Sequence, residues 1–254
     1  MSALPGTTGR RRIYLMRHGH VDYFGKEIRA AGGDFSVVPL TPLGREQAIA
    51  AGLALSHVRF DRAVCSGYPR TQQTAELVLA GQTDNLVPNL EVDAGLVEVH
   101  GGTYSNEVKS RADMAAKMTF HFETAGEPGA TMLPGGEVFA DAMDRSVASI
   151  TRLLSEPNWH TMLIAAHEGI NRLILGWACG GGLKAVKAFE QDTACINMLD
   201  FDMVPIDSGD VPIDSGDTKI ERAMIKAVNL TPYNYVKYGM NMNSLEAIFA
   251  REPR

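Results

Sequence analysis

Two adjacent side chains near the start of the chain, Arg17 and His18 in "YLMRHGH", stand where a short apolar run meets a glycine. A guanidinium holds phosphate oxygens in a bidentate fork, and imidazole is one of the few side chains that can accept a phosphoryl group covalently. Three further places carry matching chemistry. Arg70 lies just inside the helix expected after "CSGYP", where backbone N–H groups and the positive helix end favour an anion. Glu98 in "LVEVHGG" is an acid beside a glycine pair, and so a candidate proton donor. His167 in "AAHEG" ends another apolar run. Taken singly, each has a plain structural explanation: a surface arginine, a solvated acid, a histidine at the edge of a core. Jointly they describe an anion site with a nucleophile in it.

The elements that must position these residues follow from hydrophobic periodicity. "RIYLMRHG", "RAVCSG" and "TMLIAAH" are short apolar runs of the kind that form strands buried on both faces. Helices are expected over "LTPLGREQAIAAGLALSHV", "YPRTQQTAELVLAG", "GGEVFADAMDRSVASITRLL" and "EGINRLILGWACGGG". The first has Thr41 as N-cap and Pro42 at its first position, with Leu43, Ala50, Ala54 and Val58 on one face. The third aligns Phe139, Met143, Val147, Ile150 and Leu154. Strands alternating with helices predict a three-layer α/β/α sandwich with a mostly parallel central sheet. "CINMLDFDMV" from Leu199 on, and part of "TKIERAMIKAVNL", alternate apolar and polar residues and predict an antiparallel hairpin at one edge. In an open α/β sheet the carboxyl ends of neighbouring strands share a crevice, so His18 and His167 can meet there.

The chain is expected to have a disordered N-terminus over 1–11, one domain over 12–230, and a C-terminal tail over 231–254. Within the domain, 102–134 is a polar insertion or cap, helical around "KSRADMAAKMTFHF", and 204–217 is a hairpin loop in which "VPIDSGD" occurs twice in succession. At 254 residues and 45% hydrophobic, the chain can bury one substantial core. Its formal net charge of −6 argues against a nucleic-acid or membrane-surface partner, so phosphate recognition must be local. Cys65, Cys179 and Cys195 show neither disulfide nor zinc spacing, which suits a reducing cytoplasm. No run reaches the roughly 18 apolar residues of a bilayer span. His20 completes an "HGH" pair, but no acidic or cysteine cluster accompanies it, so no metal is expected.

With "RHG" at 17–19, "LTPLGREQA" at 40–48, "CSGYPRTQQTA" at 65–75, "LVE" at 96–98, "PGGE" at 134–137 and "HEGINR" at 167–172, the sequence resembles the histidine phosphatase superfamily, the phosphoglycerate-mutase-like group. The resemblance implies that fold. It also implies His18 as nucleophile, Arg17 and Arg70 as the phosphate grip, His167 as a further donor and Glu98 as general acid and base, with no metal and no cofactor. Two positions depart from the family pattern. Phe24 stands about where members often carry a phosphate-binding Asn, so Ser66 or a backbone donor would take over that contact. Glu168 follows the second histidine, where many relatives have Gly.

The function expected on these grounds is metal-independent hydrolysis of a small phosphorylated metabolite through phosphohistidine. Two alternatives stand beside it: a phosphoglycerate mutase, and a non-catalytic member that binds phosphate ligands. A mutase must retain a bisphosphorylated intermediate, which calls for extra cations. Lys109, Arg111 and Lys117 are diluted by acids, and the glycine-tyrosine pattern expected after the Glu is missing. Tyr23, Phe24, Phe35 and Tyr104 point to a partly apolar leaving group. The edge hairpin and tail could support a homodimer.

Overall fold

The computed structural model describes residues 9–23, 34–83, 87–103, 120–205 and 218–237. Its strands are β1 (Gly9–Arg17), β2 (Arg62–Cys65), β3 (Leu90–Val92), β4 (Thr161–Ala166), β5 (Ile196–Pro205) and β6 (Thr218–Leu230). They form a six-stranded sheet in the order β3-β2-β4-β1-β5-β6. β3, β2, β4 and β1 run parallel, while β5 lies antiparallel to β1 and β6 antiparallel to β5. The α-helices among the described residues are α1 (Pro42–Ala54), α2 (Pro69–Ala80), α3 (Phe139–Ser155) and α4 (Glu168–Ala178). The architecture is the expected three-layer one: a mostly parallel sheet with an antiparallel edge hairpin.

Period-two alternation along the buried strands builds the two outer layers. Ile13, Leu15, Met162 and Ile164 pack with Phe139, Ile150, Leu154, Ile170 and Leu173 of α3 and α4. Tyr14, Met16, Leu163 and Ala165 point the other way, onto Ala51, Ala75 and Val78 of α1 and α2. The chain therefore leaves β1 for one face of the sheet and leaves its neighbour β4 for the opposite face. Adjacent strands whose exits diverge in this way open a crevice at their carboxyl ends.

α1 begins as expected, with the Thr41 side chain accepting the Gly44 N–H and Pro42 in the first turn. Its buried face differs from the expected one. Gly44, Gln47, Ala48, Ala51 and Gly52 are buried, while Leu43 is exposed and Ala50, Ala54 and Val58 are only partly covered. The reason is close approach: a Cβ on Gly44 would lie 2.1 Å from the carbonyl oxygen of His20, and one on Gly19 would lie 2.3 Å from that of Gly44. Small residues let this helix press against the loop that carries His18, and large apolar ones would hold it off.

Residues 9–11, expected to belong to a disordered N-terminus, are strand instead, because Gly9, Arg10 and Arg11 pair with β5. Cross-strand ion pairs hold this end. Arg12 Nε lies 2.6 Å from buried Asp200, Arg10 Nε 2.7 Å from Asp202, and Arg222 Nη2 2.5 Å from the same Asp202. The aspartates that create the alternation of β5 are thus inside the ladder rather than in solvent. Asp200→Ala, which strands half-buried Arg12, is expected to lower the unfolding free energy by about 2 kcal/mol, as measured by urea titration.

Phe24, Tyr104, Lys109, Arg111, Lys117, most of the expected 109–122 helix and residues 206–217 of the duplicated segment lie outside the described residues. Among the described residues no helix is long and apolar enough to cross a membrane.

Candidate active site

Each of the four parallel strands delivers part of the site at its carboxyl end. β1 ends in Arg17 and passes to His18; β4 passes to His167; β2 passes to Ser66 and then to Arg70 in the first turn of α2. β3 leads through a short 3-10 turn, Ala94–Leu96, to Glu98. Arg17 pairs with Ala166, the His18 N–H donates to the Ala166 carbonyl at 3.1 Å, and the imidazole rings of His18 and His167 stand edge to face with centroids 5.3 Å apart. Arg17, His18, Ser66, Arg70 and His167 are all buried.

The backbone sets the tautomer of His18. Its Nδ1 lies 2.7 Å from the carbonyl oxygen of Gly19. A carbonyl only accepts, so Nδ1 carries the proton and Nε2 keeps its lone pair. Burial, and then the positive charges of Arg70 and Arg17, hold the His18 pKa well below the usual imidazole range. Both effects favour the neutral ring, with the Nε2 lone pair available. Burial lowers the pKa of His167 in the same way, followed by Arg70 and His18.

His167 Nε2 lies 2.8 Å from Ser66 Oγ, which in turn lies 2.9 Å from Thr71 Oγ1. Ser66 thus sits against His167 and the first turn of α2. Arg70 donates from Nη1 to the Phe35 carbonyl at 2.7 Å, and its guanidinium lies over Tyr68 and Tyr23, 4.8 and 6.0 Å from the ring centroids. Its buried Nε–H has no hydrogen-bond partner among the described residues. Arg17 donates from Nη1 to the Gln191 carbonyl at 2.5 Å.

Glu98 is held at the start of α4. Its Oε1 accepts N–H groups from Val99 at 2.9 Å and Ile170 at 3.3 Å, and its Oε2 accepts the Gly169 N–H at 3.3 Å. A Cβ on Gly169 would lie 2.7 Å from Oε1, so glycine there leaves room for the carboxyl. Burial is the largest influence on its pKa and raises it; Glu168 adds to the rise, against backbone N–H groups and Arg70. A carboxyl that stays protonated above the ordinary carboxylate range is suited to donating a proton.

Sequence reasoning assigned no role to Arg145, yet it clamps the Glu98 loop. From α3 it donates to the carbonyls of Gly95 at 2.8 Å, Val97 at 2.9 Å and Glu98 at 3.3 Å, and forks onto Glu137 at 2.6 and 2.8 Å. Glu137 also accepts the His100 N–H at 3.1 Å. If Glu98 and the arginines have the roles the resemblance implies, Arg145→Met is expected to lower kcat for an alkyl phosphate about 10-fold with little change in KM, because the carboxyl would lose its position while the phosphate contacts stay. Equal losses in kcat, KM and melting temperature would show the clamp to be only structural.

His20, the second histidine of "HGH", turns away from this cluster. Its Nδ1 lies 2.7 Å from Thr41 Oγ1, where it braces the start of α1. No three His, Cys, Asp or Glu side chains among the described residues are grouped as a metal cage requires.

Known proteins share both the sequence pattern and the fold. The model of the histidine phosphatase superfamily, branch 1, matches residues 13–204. The chain is 25% identical over 202 residues to a 2-carboxy-D-arabinitol-1-phosphatase of Triticum aestivum, covering 80% of this chain but 39% of the wheat protein. It is 27% identical over 192 residues to the adenosylcobalamin/alpha-ribazole phosphatase of Escherichia coli K12, covering 75% of this chain and 90% of that one. The solved mycobacterial glucosyl-3-phosphoglycerate phosphatase superposes with a TM-score of 0.62 at 22% identity, over 87% of this chain and 99% of that chain. At that identity the likeness is one of fold. The family match runs from β1 into β5 and so takes in all four strand ends at the crevice: the chain belongs to the histidine phosphatase superfamily, branch 1.

Proposed function

We propose that this chain hydrolyses phosphate monoesters of small metabolites through a phosphohistidine on His18. The observation that carries this reading is the placement of an imidazole with its Nδ1 proton on the Gly19 carbonyl beside Arg17, Arg70 and His167, with Glu98, a carboxyl whose pKa burial raises, at the same crevice. A phosphate dianion repels a nucleophile unless its charge is compensated, and two buried guanidinium groups supply that compensation. No step requires a metal.

In the first step the Nε2 lone pair of His18 attacks phosphorus in line, and the bond from phosphorus to the ester oxygen breaks. Glu98 gives its proton to that oxygen, so an alcohol leaves. His18, still protonated on Nδ1 toward Gly19, carries the phosphoryl group on Nε2. In the second step the Glu98 carboxylate takes a proton from water, the water oxygen bonds to phosphorus, and the P–Nε2 bond breaks. Inorganic phosphate leaves and the starting protonation states return.

The relatives named as phosphatases support hydrolysis over isomerisation. Release of inorganic phosphate from p-nitrophenyl phosphate in the presence of EDTA tests the reading. Absence of turnover, or efficient interconversion of 3- and 2-phosphoglycerate instead, would overturn it. The free thiols of Cys65, Cys179 and Cys195 suit a reducing compartment, so we place the enzyme in the cytoplasm.

A further inference from the structure

Glu168 transfers no proton in the reaction just described, yet it opens α4 directly beside His167 and helps to raise the pKa of Glu98. Its Oε2 lies 3.4 Å from Arg17 Nη1, and its Oε1 lies 2.9 Å from Arg172 Nη2 one turn along the helix. Arg172 is fixed in its turn, with its guanidinium 4.6 Å from the centroid of Phe122, whose ring packs on Phe139. The carboxylate is therefore held by two guanidinium groups, with 14% of its side chain exposed.

This negative charge lies close enough to Glu98 to raise its pKa. Glu98, the proton donor to the ester oxygen, accepts the N–H groups of residues 169 and 170, so both carboxyls occupy the first turn of α4. Nearby described cations are already committed. Arg145 is held by Glu137 and three carbonyls and Arg172 by Glu168 itself, while Arg70 is taken by the phosphate in the proposed reaction. Aromatic rings stand beside Arg70, with Tyr23 and Phe35 at 5.5 Å between ring centroids. A leaving group that brings its own carboxylate or phosphate next to the ester oxygen would meet a fixed like charge in a partly desolvated site.

We propose that Glu168 is a specificity-determining residue that reserves the site for phosphate monoesters with an uncharged leaving group and rejects those with a second anionic group beside the ester. The inference rests on the phosphatase reading and deepens it. It sets the chain apart from the wheat relative, whose name carries a carboxylated sugar phosphate.

Glycerol 3-phosphate and 3-phosphoglycerate form a matched pair of probes, differing by a hydroxymethyl group against a carboxylate. The wild type is expected to favour glycerol 3-phosphate in kcat/KM by about 10-fold or more, the order given by two like charges within several ångströms near a protein surface. Glu168→Gln should bring the ratio to within about 3-fold of unity by raising activity on 3-phosphoglycerate, while Glu168→Asp, which keeps the charge, should preserve the preference. In the wild type alone, the preference should shrink as KCl is raised, since screening weakens repulsion and not shape.

Turnover of p-nitrophenyl phosphate without any preference between the two probes overturns this inference and leaves the phosphatase reading standing. So does a preference that is equal in the wild type and the Gln variant. If the wild type turns over no ester at all, the phosphatase reading falls and this inference with it.

Discussion

Replacing His18 by alanine is expected to lower kcat on p-nitrophenyl phosphate by about 10⁴-fold or more, with the protein still folded. The side chain lies at the end of β1 and packs into the site rather than into either of the two apolar layers. Its loss therefore removes the covalent route without removing core. Arg17, Arg70 and His167 remain, so phosphate should still bind and inhibit. This separation is informative: a chain that only binds phosphate ligands would retain affinity in both forms and show turnover in neither. The measurement is steady-state release of p-nitrophenol, with circular dichroism and phosphate binding as controls.

Glu98→Gln should split the reaction into its two steps. Alkyl alcohols leave poorly without a proton, so kcat for an alkyl phosphate is expected to fall by about 10²- to 10³-fold. p-Nitrophenolate leaves unaided, so phosphorylation of His18 should proceed from that ester. The variant then lacks the carboxylate that takes a proton from water, and phosphohistidine accumulates. Rapid mixing should show a burst of one p-nitrophenol per site followed by slow turnover. A uniform loss on both esters, with no burst, would remove Glu98 from the proposed role.

The pH dependence has a definite sign. The proposed mechanism needs His18 unprotonated and Glu98 protonated. The lowered His18 pKa extends the nucleophilic form below the usual imidazole range, and the raised Glu98 pKa extends the acid form above the usual carboxylate range. The kcat profile for an alkyl ester should thus fall on the acid side as His18 takes a proton and on the alkaline side as Glu98 loses one. Glu98→Gln should abolish the alkaline limb and keep the acid one.

Much of this organisation is legible in the chain because the chemistry sits at strand exits. The apolar runs of β1, β2 and β4 are long enough to announce buried strands, and each hands directly to a side chain of the crevice. β3 is three residues long and carries no comparable run, so the strand that leads to Glu98 is invisible until it pairs with β2. Arg145 escapes for a different reason: one arginine on an amphipathic helix looks like any solvated charge, and only the folded loop brings three carbonyls to it. The buried face of α1 misleads because the signal there is small side chains, where periodicity arguments look for large ones. The tautomer of His18 depends on a single carbonyl, that of Gly19, which no residue type encodes.

The central claim is that a phosphoryl group passes through Nε2 of His18. The most direct measurement is to mix the Glu98→Gln variant with p-nitrophenyl phosphate, quench in alkali, where phosphohistidine survives, digest, and locate the phosphoryl group by mass spectrometry. The account predicts one phosphoryl group per chain, on the peptide containing His18 and on that side chain. A phosphoryl group found on another residue, or p-nitrophenol released with no phosphorylated peptide at all, would contradict it.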